Sequence, residues 1–230
     1  MQNRDLSELE EKLGYVFSDR ALLERALTHS SCANERRINK KEDYERLEFL
    51  GDAVLELTVS EFLYNNYPQK KEGEMTRTRA ALVCEPTLAA CARALELPSF
   101  LMLGKGEDMT GGREKDSILC DVFEAIAGAL YIDGGFEIAK AYITEHLLSD
   151  WEHKALFVDA KTILQERMQK RGKKISYRTV SEGGTPNERI FTEELTVDGE
   201  AVGRSEGRSK KAAQQQLAYE YLIKLGLEVD

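Results

Sequence analysis

Apolar residues return at three- and four-residue intervals through most of residues 1–150, the spacing of helices that each bury one face. DLSELEEKLGYVF and SDRALLERALTH predict two short amphipathic helices, with Ser18 or Asp19 as a cap for the second. YERLEFLGDAVLEL predicts a longer helix that runs to about Tyr64 and ends at Asn65, Asn66 and Pro68, with Leu47, Leu50, Val54 and Leu57 as its core stripe. KKEGEMTRTRAALVCEPTLAACARALEL predicts two more helices, with Pro86 near the start of the second. LGKGEDMTGGREKDS reads as a glycine-rich loop, SILCDVFEAIAGALYIDGG as a strongly apolar helix closed by Gly134 and Gly135, and FEIAKAYITEHLLSDW as another helix.

The pattern then changes. DAKTILQERMQKRGKK predicts an amphipathic helix with a basic end. ISYRTVSEGG and RIFTEELTV read as strands, and AVGRSEG as a third strand and loop. Asp198-Gly199 supplies the positive φ angles of a tight hairpin turn. SKKAAQQQLAYEYLIKLG closes the chain as a helix. The expectation is a two-domain protein: an all-α domain over residues 1–152, then an α-β-β-β-α domain of the α+β class over residues 158–227, joined by a short linker.

Two of the predicted helices carry acids in unexpected places. Glu45, Glu48 and Asp52 fall on one face at about 100° per residue. Like charges at that spacing cost a few tenths of a kcal/mol per pair, so a solvated acidic face explains them by spacing alone. In ILCDVFEAIAGALY, however, Asp121 and Glu124 are the only charges, at i and i+3 on a helix too apolar for the surface. Ala125 and Gly128 lie on about the same face and leave room for close approach. A buried unpaired carboxylate costs several kcal/mol. Such a pair needs a cation, a basic partner or a raised pKa. Two helices with E-x-x-E-x-x-x-D and D-x-x-E converging on one site would present oxygen ligands, which select Mg²⁺ or Mn²⁺ over zinc. Carboxylate–Mg²⁺ chemistry of this kind is commonly phosphoryl transfer or phosphodiester hydrolysis.

Composition and charge sharpen the picture at three points. The four cysteines, Cys32, Cys84, Cys91 and Cys120, form no C-x-x-C pair, and there are three histidines, so free thiols and no zinc site are expected. No apolar run is long enough to span a membrane, and MQNRDLSELEEKLG lacks the apolar region of a signal peptide, so a cytoplasmic location is the expectation. The net charge is −9, which argues against nucleic acid until it is divided. Residues 1–157 hold 19 Lys and Arg against 29 Asp and Glu, a net of −10; residues 158–230 hold 13 against 12, a net of +1. The second part therefore has local basic clusters. Lys210 and Lys211 stand at the start of the last helix, where the macrodipole disfavours cations but free N–H groups favour phosphate. His29 in LTHSS reads as a packed or capped histidine.

ERLEFLGD (residues 45–52), EGEMTRTRAALV (72–83) and LGKGEDMTGGREKDSILCDVFEAIAGALYID (103–133) resemble the catalytic domain of the ribonuclease III family. The tail from about residue 158 resembles a double-stranded RNA-binding domain. The resemblance covers nearly the whole chain and is nearest to the bacterial form, with one domain of each kind. It implies an Mg²⁺-dependent endoribonuclease that hydrolyses duplex RNA, leaving 5′-phosphate and 3′-hydroxyl ends, in a homodimer with two sites. Glu48, Asp52, Asp121 and Glu124 match the family's four essential acids. Glu48, Asp121 and Glu124 would ligate the metal, and Asp52 and Glu124 match the catalytic positions. Glu45 and Glu72 match supporting acids at the edge of the site. Phe49 matches an aromatic residue that plugs a pocket on the partner subunit; packing in its own core is the alternative. Gln165 and Glu166 match positions that reach 2′-hydroxyls, and Ser209, adjoining Lys210 and Lys211, is read with them as part of the phosphate site at the helix start. Asn187 stands where the family usually has a histidine in the loop between the first two strands, so RNA contact by that loop is a weaker expectation.

Overall fold

In a computed structural model, residues 5–35, 42–185 and 188–226 are described, in two compact units, Met1–Trp151 and Glu152–Asp230. The first is helical throughout: α1 (Leu6–Leu13), α2 (Arg20–Ala26), α3 (Ser30–Glu35), α4 (Glu45–Asn66), α5 (Glu72–Leu82), α6 (Glu85–Ala94), α7 (Lys105–Met109), α8 (Asp116–Gly134) and α9 (Phe136–Ile143). Asp19, rather than Ser18, caps α2 by accepting the Ala21 N–H. Pro86 stands in the first turn of α6, where its missing N–H has no cost.

The unit is built around α8, whose residues from Ile118 to Leu130 are buried with the single exception of half-buried Asp121. Helices α2, α4, α6 and α9 pack against it. Its crossing with α4 is backbone against backbone. A Cβ on Gly51 would stand 1.8 Å from the Glu124 carbonyl oxygen, and one on Gly128 would stand 2.2 Å from that of Leu47. Only glycine at both positions lets the two acid-bearing helices meet this closely.

Two expectations are corrected. The core stripe of α4 is Leu47, Gly51, Val54, Leu55, Thr58, Val59 and Leu63; Leu50 is half-buried and Leu57 is exposed. The helix buries the side that holds Gly51, and this turns Leu57 outward. The segment read as a glycine-rich loop contains α7 and a 3₁₀ turn, Gly112–Glu114. Arg113 ties it down by donating to the Pro98 and Leu101 carbonyls, at 2.9 and 2.8 Å, and by pairing with Asp108. These bonds depend on partners that local sequence pattern does not reveal.

After α9 the chain makes a π-helical turn, Thr144–Leu148, and α10 (Trp151–Lys170) begins at once. Residues 152–158 are thus helical rather than a linker. Trp151 packs edge-on against Phe62 and Tyr67. The second unit continues with β1 (Ile175–Thr185), β2 (Glu188–Val197), β3 (Glu200–Gly207) and α11 (Lys210–Lys224). The sheet is antiparallel in the order β1-β2-β3. Asp198 and Gly199 take φ of 53° and 88°, the positive values that the two-residue hairpin turn requires. Leu156, Ala160, Leu164 and Met168, spaced by four along α10, form a core with Leu195, Val197, Leu217, Ala218 and Leu222.

Candidate active site

Helices α4 and α8 bring Glu48, Asp52, Asp121 and Glu124 together. Glu124 is buried, with 9% of its surface exposed; Glu48 and Asp121 are half-buried and Asp52 is exposed. Burial is the largest influence on Glu124, followed by the charges of Asp52, Glu48 and Asp121, and its carboxyl is pushed up to about 8. Glu48 is pushed up to about 7 by burial, then by Asp121, Glu45 and Asp52. Burial raises Asp121 as well, against a hydrogen bond that lowers it. Glu45, at the first position of α4, is exposed but near enough to perturb Glu48. The arrangement concentrates negative charge, and among the described residues the cationic counterweight is His29, which lowers Asp121.

The hydrogen bond that lowers Asp121 comes from Tyr44, whose hydroxyl donates to Oδ2 at 3.1 Å. Cys120 was also missed from sequence. Its Sγ is 3.8 Å from Glu124 Oε1, and the ligand atoms of Cys120, Asp121 and Glu124 all lie within 4.8 Å of one another. Burial and the neighbouring acids hold the thiol well above its usual range, so it is protonated at neutral pH. Its position one residue before Asp121 was visible; its direction toward Glu124 was not.

Glu72 is not brought to this cluster within the chain. It is exposed at the start of α5, accepts from Thr76 Oγ1 at 2.9 Å, and lines a pocket of about 470 Å³ with Leu57, Tyr64, Met75 and Arg79. Phe49 is 82% exposed, which rules out packing in its own core. His29 is a packed residue: its ring lies 5.6 Å from that of Tyr44, and its Nδ1 is 2.7 Å from Ser31 Oγ.

In the second unit, Gln165 and Glu166 are exposed on α10. Ser209 caps α11 by accepting the Ala212 N–H at 3.1 Å. Lys211 is exposed, whereas Lys210 already has an anion: its Nζ is 2.6 Å from Glu182 Oε1. Asn187 lies outside the described residues. Two acids that the pattern of β2 left unexplained are buried. Glu194 lies between Arg178 and Arg204, at 2.6 and 2.7 Å, tying the three strands together. Glu193 accepts from Thr179 and from Gln214 of α11.

Residues 19–151 match the family model described as Ribonuclease-III-like, and residues 160–225 match that of the double-stranded RNA binding motif. Curated proteins named Ribonuclease 3 from Bacillus cereus (strain AH187) and Bacillus anthracis (strain CDC 684 / NRRL 3495) are each 48% identical over 219 residues, 94% of this chain and 89% of theirs. A solved nuclease domain of ribonuclease III from Campylobacter jejuni, described as having structural flexibility in a region involved in dimer formation, is 43% identical with a TM-score of 0.58, covering 62% of this chain and 96% of its own. The helical unit with its paired acids and the α-β-β-β-α unit behind it thus correspond to the two matched families in order, and the chain belongs to the ribonuclease III family of endoribonucleases that act on double-stranded RNA.

Proposed function

We propose that Glu48, Asp121 and Glu124 hold Mg²⁺, with Mn²⁺ as a substitute, and that Asp52 and Glu124 are the catalytic acids for hydrolysis of duplex RNA. The observation that carries this is Glu124, a buried carboxyl pushed up to about 8 by burial and by three other acids. A divalent cation would relieve that repulsion, and the donor set suits a hard one: carboxylate oxygens, with the one nearby thiol protonated. When bound, such a cation supplies Lewis acidity to a phosphate oxygen and to the attacking water. In this reading Asp52, the exposed member, takes a proton from that water, and Glu124 orients the site. The bond broken is phosphorus to the 3′-oxygen, which takes a proton; the products carry 5′-phosphate and 3′-hydroxyl ends. Glu45, exposed beside Glu48, is a supporting acid.

Duplex RNA is held mainly through shape, 2′-hydroxyl and phosphate contacts. Gln165 and Glu166 on α10 and Ser209, Lys210 and Lys211 at the start of α11 are the proposed contacts. The active form is a homodimer in which exposed Phe49 enters the partner's pocket between α4 and α5, whose wall includes Glu72. Its substrates are structured transcripts, ribosomal RNA precursors among them, in the cytoplasm.

The test is incubation with a long RNA duplex in Mg²⁺ and in EDTA. Short duplex products only with Mg²⁺ support the reading; RNA that is shifted but uncut in both overturns it. Glu124→Gln should abolish cleavage and leave duplex binding intact, and near-normal cleavage by that variant would remove Glu124 from the site.

A further inference from the structure

Tyr44 occupies the position before the first turn of α4, where Ser, Thr, Asp or Asn would cap the helix, yet its side chain makes no cap. Asp43 takes that part instead, accepting the Glu45 N–H at 3.3 Å. Tyr44 is turned inward and is 3% exposed. It is fixed on three sides. Its backbone N–H donates to the Thr28 carbonyl at 3.0 Å, its ring packs on His29, and its hydroxyl reaches across to α8. His29 is anchored in turn by its own N–H to the Met102 carbonyl at 3.0 Å and by Ser31. The far end of this packed stack is one oxygen, Asp121 Oδ2.

We propose that Tyr44 is a positioning residue for Asp121, fixing the carboxylate by engaging Oδ2 so that Oδ1 is presented to the divalent cation. This rests on the reading of Asp121 as a metal ligand. Asp121 is the half-buried edge of an otherwise buried helix face, and a carboxylate there can rotate about two side-chain bonds. A rigid donor on one oxygen removes that freedom before the cation arrives. Groups that hydrogen-bond to a ligand in this way commonly contribute 10- to 100-fold to metal affinity. Local pattern does not reveal the pair, because the partners are 77 residues apart.

The test is Mn²⁺ binding to the full-length protein without RNA, followed by electron paramagnetic resonance, together with the Mg²⁺ dependence of cleavage. Tyr44→Phe keeps the ring and its packing and deletes only the donor. It should weaken Mn²⁺ binding about tenfold and raise the half-maximal Mg²⁺ concentration by a like factor, with cleavage at saturating Mg²⁺ within about twofold of wild type. Leu9→Ala, which removes a buried side chain of α1, away from the α4–α8 crossing, should lower thermal stability without moving Mn²⁺ affinity. Asp121→Asn should lose most Mn²⁺ binding. If Asp121→Asn loses binding while Tyr44→Phe binds as wild type, the positioning role is wrong. If Leu9→Ala weakens binding as much as Tyr44→Phe, the effect is general damage and the role is again wrong. If Asp121→Asn itself binds as wild type, the ligand assignment beneath the proposal fails instead.

Discussion

Glu48 and Glu124 bind protons more tightly in the folded chain than in an unfolded one, where a glutamate carboxyl titrates at 4.5. Their folded values are raised, to about 7 and about 8, so their contribution to stability is complete below 4.5 and is lost as pH rises through those values. The metal-free protein should therefore lose stability, on the order of a few kcal/mol, between about pH 5 and about pH 9. Thermal melts in EDTA across that range measure it. Glu124→Gln cannot ionise and should show a flatter profile; identical profiles would mean that Glu124 does not carry the strain. Mg²⁺ should raise the melting temperature of the wild type more at high pH than at low pH, because the cation and the protons compete for the same carboxylates. The acids were legible in sequence because charges are conspicuous on an apolar helix. Tyr44 and Cys120 were not, since an apolar-compatible side chain reveals its direction only when its neighbours are known.

The α4–α8 crossing brings the acids together, and glycine sets its distance. Gly128 could be anticipated as a small residue on the acid-bearing face of α8. Gly51 could not, because the leucine stripe drew the core boundary of α4 in the wrong place and turned Leu57 inward. Gly51→Ala would set a methyl 1.8 Å from the Glu124 carbonyl oxygen, a clash that only separation of the helices relieves. The variant should be about 3 kcal/mol less stable or worse by urea denaturation, with cleavage reduced well beyond the effect on RNA binding. Stability within about 0.5 kcal/mol of wild type would show that the crossing is looser than this. At the start of α11 the prediction concerns salt. Replacing Lys210 and Lys211 with Ala should weaken duplex binding and reduce the salt slope by up to about 2. Because Lys210 must leave Glu182 to reach a phosphate, Lys211→Ala alone should cost more affinity than Lys210→Ala alone, an order that filter binding at several salt concentrations can test. The hairpin turn was legible from Asp198-Gly199, whereas the burial of Glu193 and Glu194 follows from strand register, which places Arg178 and Arg204 opposite Glu194.

At the scale of the molecule, charge divides as function does: −10 over residues 1–157 and +1 over residues 158–230. That contrast, and the change from helices to an α-β-β-β-α order, were legible from composition and periodicity, because two units with separate cores need different patterns. The continuity of α10 through residues 152–158 was not, since the change of pattern there looks like a linker although no residue in it breaks a helix. Among the described residues, no helix is long and apolar enough to cross a membrane. In the proposed dimer, what α4 leaves exposed meets the partner subunit. Phe49 is 82% exposed, Leu57 57% and Tyr64 72%, and the last two border the pocket of about 470 Å³. In a twofold dimer each contact occurs twice, so loss of one aromatic anchor is felt twice. A central aromatic anchor contributes about 2 kcal/mol or more, which makes Phe49→Ala about 4 kcal/mol weaker in association, close to a thousandfold. Sedimentation velocity over a dilution series should show the variant dissociating at protein concentrations where the wild type remains dimeric. Since the ring stands in solvent within its own chain, the isolated subunit should lose no packing from the change. An unchanged dissociation constant would mean that Phe49 does not anchor the dimer, and the pocket between α4 and α5 would need another occupant.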